Sequence, residues 1–160
     1  MNEVFVNMGQ IGVMSKNGIL TTVGLGSCVG VVLYDAYSKV GAMAHVFLAE
    51  SRKDSNGALT PGKYADTAIP ALIECAVKAG ADRNRLTAKI AGGAHLFSNF
   101  GSNSLNVGSK NIKAVIEQLE KANIPIISQD TAGNRGRKMR LFVETGIVEV
   151  TTIGQESKEI

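Results

Sequence analysis

The stretch TTVGLGSCVGVVLYD, Thr21 to Asp35, sets a lone cysteine, Cys28, between a glycine-rich turn and a run of β-branched residues. A thiolate is a strong nucleophile, and an imidazole can both withdraw the thiol proton and lower the thiol pKa by ion pairing. A histidine, His45, lies in the next hydrophobic run, VGAMAHVFL. If CVGVVLYD and SKVGAMAHVFL form a hairpin with Ala36 and Tyr37 as a two-residue loop, Asp35 pairs with Ser38 and Cys28 stands opposite His45. Opposed side chains share a face with Cβ atoms about 4.5–5.5 Å apart, close enough for a thiol–imidazole contact. A four-residue loop makes His45 a diagonal neighbour on the same face, whereas a three-residue loop without a bulge separates the two onto opposite faces. Upstream, GLGS supplies backbone whose N–H groups at Gly26, Ser27 and Cys28 could line an oxyanion hole. The chemistry these groups could do is attack on an acyl carbon. The same residue types also fit a plainer reading, with Cys28 a small buried hydrophobe and His45 a hydrogen-bonded core histidine.

Other chemistries fit less well. In GLGSCVG, Gly24 and Gly26 have the spacing of a dinucleotide-binding turn, but Val29 stands where the third glycine belongs and a strand-like run follows instead of a helix. The cysteines and histidines stand at positions 28, 45, 75 and 95 with no zinc-type spacing, so neither a metal nor a cofactor is expected. Seventeen basic against fourteen acidic residues leave +3, too slight and too dispersed for a nucleic-acid footprint. No run of eighteen apolar residues occurs, and the N-terminus lacks a basic segment followed by an apolar one. The expectation is therefore a cytoplasmic chain with no signal peptide and no membrane insertion, and with Cys28 and Cys75 as free thiols.

These residues need elements to hold them. EVFVNM, QIGVM, CVGVVLYD, VGAMAHVFL, LTAKIA, PIISQD, KMRLFVE and IVEVTTI all read as strands. Between Tyr64 and Ala79 the apolar period becomes helical, with Cys75 on the apolar face and Gly80 as the stop. Ser109 to Ala122 repeats the pattern through Ile112, Val115, Ile116 and Leu119, with Ser109 as the expected N-cap. GGAHLFSNFGSNS reads as a loop, and TAGNRGR as a turn. The predicted fold is α/β (α+β-like), a layered sandwich of mainly antiparallel strands with two main helices covering a sheet. With no repeat or linker in 160 residues, one domain over 1–160 is expected.

TTVGLGSCVGVVLYD, GAMAHVFL, PGKYADTAI, KIAGGA and DTAGNRGR, in that order along nearly the whole chain, resemble the chemoreceptor glutamine deamidase family, CheD. The G-L-G-S-C-V motif followed by M-A-H, with the histidine seventeen residues after the cysteine, is the specific part of the likeness. The resemblance implies a cysteine-dependent hydrolase that converts glutamines of methyl-accepting chemotaxis receptors to glutamate. It assigns Cys28 as nucleophile and His45 as general base. It also selects Thr22, six residues before the cysteine, over the adjacent Thr21 as the group that orients the imidazole. A second role implied by the family is as a binding module that associates with and stimulates a CheC-type phosphatase. This chain departs from the pattern at Ala132, where a glycine is expected, and at His95, where a small residue is expected. The basic group Arg135, Arg137, Lys138 and Arg140 reads as a solvated hairpin, or alternatively as a docking patch for acidic receptor helices.

Overall fold

The computed structural model describes residues 2–51, 60–96 and 106–160. Its strands are β1 (Glu3–Phe5), β2 (Ile11–Ser15), β3 (Ile19–Leu25), β4 (Val29–Asp35), β5 (Val40–Val46), β6 (Thr87–Gly92), β7 (Ile126–Thr131), β8 (Arg137–Phe142), β9 (Ile147–Thr152) and β10 (Lys158–Glu159). The helices are α1 (Ala65–Lys78) and α2 (Val107–Lys121). One sheet has the order β1-β3-β8-β9-β10 and the other β2-β5-β4-β6-β7. Strands β1–β3 and β6–β7 pair in parallel, and the remaining pairs are antiparallel.

Period-two alternation sorts the two central strands of the second sheet between two cores. Val29, Val31 and Leu33 of β4, with Val40, Ala42, Ala44 and Val46 of β5, pack beneath α1 and α2 against Ile69, Leu72, Val115 and Leu119. Cys28, Val32 and Met43 face the other way, between the sheets, against Leu20, Leu25, Met139 and Leu141. Because both faces of β5 are covered, all seven of its residues are buried. The architecture is thus sheet, sheet, helix layer, an α/β sandwich with two helices on one sheet, as the sequence predicts.

The structure changes several details. The β4–β5 loop has four residues, Ala36–Lys39, not two, and Asp35 pairs with Val40. The buried Asp35 carboxylate imposes this length. It accepts the N–H groups of Tyr37 and Ser38 within the loop, and those of Asp82 and Arg85 from outside it. Burial alone would raise the Asp35 pKa, but Arg85 and the backbone donors hold it well below the usual carboxylate range. The N-cap of α2 is Asn106, whose side chain accepts the Ser109 N–H, so Ser109 lies inside the helix. Thr21 and Thr22 belong to a full strand, β3, that leads into the glycine turn. A register shift in the β3–β8 pairing follows, between Thr22 and Leu25. Of the predicted loop after β6, residues 97–105 lie outside the described residues.

Candidate active site

In the observed register His45 pairs with Gly30, and Cys28, two residues before Gly30, is its diagonal neighbour on the face between the sheets. This is the arrangement that a four-residue loop allows. Gly30 makes it a close one, because a Cβ there would stand 2.8 Å from Met139 Sδ and 3.5 Å from Thr22 Cγ2. With no side chain at Gly30, the first sheet approaches until Thr22 Oγ1 lies 2.7 Å from His45 Nδ1. Thr22, His45 and Cys28 are 1%, 3% and 4% exposed, so bulk water does not compete for these contacts.

The proton positions follow from a donor count. A threonine hydroxyl has one proton. That of Thr22 goes to the carbonyl of Val6, 2.6 Å away. Thr22 must therefore accept from His45, which puts the imidazole proton on Nδ1 and leaves the Nε2 lone pair free. Nε2 is buried and has no hydrogen-bond partner among the described residues. The segment between β1 and β2 grips the same residues. Val6 N–H donates to Thr21 C=O, Gly9 N–H donates to His45 C=O, and His45 N–H donates to Gln10 C=O.

Burial pushes the Cys28 thiol up to about 11 and lowers the His45 pKa. At neutral pH the pair therefore rests as thiol and neutral imidazole. The lowered thiol pKa expected from an ion pair is not what this site provides, because burial of the charged forms outweighs any gain from pairing them. No hydrogen bond joins Sγ to Nε2 in the resting structure.

The N–H groups expected to line an oxyanion hole divide. Gly26 N–H is turned onto Gly24 C=O at 3.0 Å, inside its own loop. Ser27 and Cys28 N–H donate to no backbone carbonyl among the described residues. The Cys28 carbonyl accepts from Gly93 N–H, and the Gly26 carbonyl from Ala94 N–H, each at 2.8 Å. The loop after β6 thereby braces the Cys28 loop. Beside Gly24 and Gly26 opens a groove of about 520 Å³ bordered by Leu96, Arg137, Lys138 and Ile153.

Thr21 lies on the opposite face of β3, where its hydroxyl donates to Glu3. His95 is half-buried at the edge of the site, its N–H donating to Gly133 C=O. Ala132 has a φ of +67°, so the turn does take the left-handed conformation for which glycine is suited. The basic group is not one solvated cluster. Arg137 is buried, 3.5 Å from Asp130 and donating to Gly92 C=O, and Arg140 sits between Glu3 and Glu149. Arg135 and Lys138 alone of the four are exposed. Strand alternation along β8 puts Arg137 on the face opposite Lys138 and Arg140. Cys75 is a half-buried free thiol on α1, remote in sequence from the site.

Asn111 escapes a motif-based reading. It is fully buried on α2 and donates to the carbonyls of both Ser27 and Phe47. The signal was its position, a carboxamide in the buried helical stripe of Gly108, Asn111, Val115 and Leu119.

Comparison with known proteins bears on the fold and the site together. A family described as CheD chemotactic sensory transduction matches residues 47–152. The chemoreceptor glutamine deamidase CheD of Thermotoga maritima is 44% identical over 149 residues, covering 93% of this chain and 91% of the relative. The chain belongs to the CheD family. A probable chemoreceptor glutamine deamidase CheD of Caldanaerobacter subterraneus is 46% identical, with 97% of this chain and 96% of the relative covered. One from Geobacillus kaustophilus is 40% identical over 98% and 96% respectively. The CheD family match begins at residue 47, whereas the similarity to these relatives extends over nearly the whole chain.

Proposed function

We propose that this protein is a chemoreceptor glutamine deamidase, a hydrolase that converts receptor glutamine side chains to glutamate, with Cys28 as nucleophile, His45 as general base and Thr22 as its orienting group. The observation that carries the residue assignment is the Val6–Thr22–His45 relay, which presents an unprotonated Nε2, without a partner among the described residues, on the face that holds Cys28. The names of the CheD relatives support the reaction and the receptor substrate.

The chemistry proceeds from the neutral pair. As Sγ attacks the carboxamide carbon, Nε2 takes the thiol proton, so the charge never has to exist on a buried resting thiolate. The oxyanion that forms is met by the N–H groups of Ser27 and Cys28. His45, now protonated, gives its proton to the departing nitrogen, and ammonia leaves behind a thioester on Cys28. Neutral His45 then removes a proton from water, the hydroxyl adds to the thioester carbon, and the carbon–sulfur bond breaks to give glutamate and the free thiol. Thr22 supports each transfer by accepting from Nδ1–H, which stabilises the imidazolium as it forms.

Each turnover adds one carboxylate to a receptor helix. Like charges four residues apart on a helix cost about 0.2–0.5 kcal/mol per pair, so the new carboxylate weakens its own helix wherever an acidic neighbour stands one turn away. Among the described residues no helix is long and apolar enough to cross a membrane. On the family resemblance alone, a CheC-type phosphatase is a proposed competitor for the receptor-binding face, and adding it would slow deamidation.

Intact-mass analysis of a purified receptor cytoplasmic fragment tests the function. Wild-type protein is expected to add about 1 Da per modified glutamine, the difference between amide and acid, with stoichiometric ammonia. An unchanged fragment mass, or equal conversion by Cys28→Ala, contradicts the proposal.

A further inference from the structure

We infer that Asn111, on α2, is a positioning residue that aims the Cys28 N–H at the developing oxyanion. This rests on the reading of Cys28 as nucleophile. Asn111 Nδ2 donates to Ser27 C=O and to Phe47 C=O, each at 2.9 Å. Two carbonyls facing one terminal atom fix the carboxamide orientation, since its oxygen there would meet only acceptors.

The Ser27–Cys28 peptide is trans, as are all the described peptide bonds. In a planar trans peptide the C=O and the following N–H point in opposite directions. Drawing the Ser27 carbonyl toward α2 therefore turns the Cys28 N–H away from α2. The Cys28 sulfur also lies away from the helix layer, between the two sheets. Donor and nucleophile thus come to serve the same carbon. The second bond holds Phe47, two residues beyond His45, so one side chain sets the spacing between the strand ends that carry sulfur and imidazole.

A fold-only explanation is weaker, because Asn111 Oδ1 is buried without a partner among the described residues. That unpaired acceptor costs stability and offsets part of what the two donated bonds contribute to the fold.

The test is receptor-fragment deamidation kinetics for Asn111→Ala and Asn111→Asp, alongside alkylation of Cys28 by iodoacetamide at about pH 9, which needs a thiolate but no oxyanion donor. The expected result for Asn111→Ala is a kcat reduced about 10–100-fold with KM unchanged, the scale of a misplaced oxyanion donor. Cys28 alkylation remains near wild type, while the melting temperature falls because two carbonyls lose their donor. Asn111→Asp, of the same shape, is expected to lose more, because its oxygens face two carbonyls. It carries the test if the alanine variant does not fold. A wild-type kcat, or a kcat loss matched by an equal change in alkylation, overturns the inference. So does failure of both variants to fold, which would make Asn111 a residue of the fold itself. Cys28→Ala separates the two levels. If it is fully active, the nucleophile assignment fails; if it is inactive while Asn111→Ala keeps its kcat, this inference alone fails.

Discussion

At the scale of single residues, the site is a donor count with a forced answer. Val6 accepts the Thr22 proton, Thr22 accepts from Nδ1–H of His45, and Nε2 is left without a proton, as the proposed base requires. Thr22→Val keeps the volume and removes the relay, so kcat is expected to fall about 100-fold, within the range for general-base catalysis. Thr22→Ser should recover most of it, and steady-state kinetics on a receptor fragment checks both. The neutral resting pair makes a second prediction. A preformed thiolate–imidazolium pair loses activity as the imidazolium deprotonates, giving a rate that declines above neutrality. Here His45 is already neutral above its depressed pKa. The kcat/KM profile should therefore rise through an acidic pKa and stay level on the alkaline side, with unassisted Cys28 alkylation slow at pH 7 and rising toward about 11. A bell-shaped profile centred near neutrality contradicts the neutral-pair mechanism.

At the scale of elements, the end of β6 packs against the Cys28 backbone, and glycine there is a steric requirement. Gly92 has a φ of +108°, and a Cβ there would lie 2.3 Å from the Cys28 carbonyl oxygen. Gly92→Ala should destabilise the protein by about 1–3 kcal/mol, as overpacking does. It should also lower kcat, because the displaced atom belongs to Cys28, the proposed nucleophile. Ala132 is the converse case. Replacing it by glycine relieves a left-handed backbone at an exposed turn and should stabilise by up to about 1 kcal/mol, read from thermal melting. What was legible in the sequence divides along similar lines. Helix α1 spans Ala65–Lys78 with Tyr64 and Ala79 as caps, matching its apolar period and the Gly80 stop. The shared face of Cys28 and His45 follows from strand parity, which a change of loop length by two residues leaves intact. The loop length itself does not follow from local patterning, because Asp35 sets it through partners at Asp82 and Arg85, far along the chain. For the same reason β3 was hidden: Thr21 and Thr22 become a strand by pairing with Arg140 and Met139. Asn111 acts on Ser27 across 84 positions of sequence, a contact that no local window contains.

At the scale of the molecule, the site is buried in the layer between two sheets, and its protonation is tied to folding. The Cys28 thiol keeps its proton in the native state up to about pH 11, whereas an exposed thiol loses it near 9.0. Between those values the unfolded chain binds fewer protons, so stability falls as pH rises. At the acid end, His45 resists protonation in the native state while the unfolded chain accepts a proton below about 6.5, so stability falls as pH drops. Urea midpoints should be highest between these limbs, and Cys28→Ala should flatten the alkaline one. A midpoint that climbs from pH 9 to 11 contradicts a buried neutral thiol. The central claim, that Cys28 carries the acyl group during turnover, has its most direct test in acid-quenched mass spectrometry of the enzyme with a receptor fragment. The account predicts a thioester joining the two chains at Cys28, lighter than their sum by one ammonia and cleaved by hydroxylamine. Continued conversion of the fragment with no such adduct, and undiminished in Cys28→Ala, contradicts it.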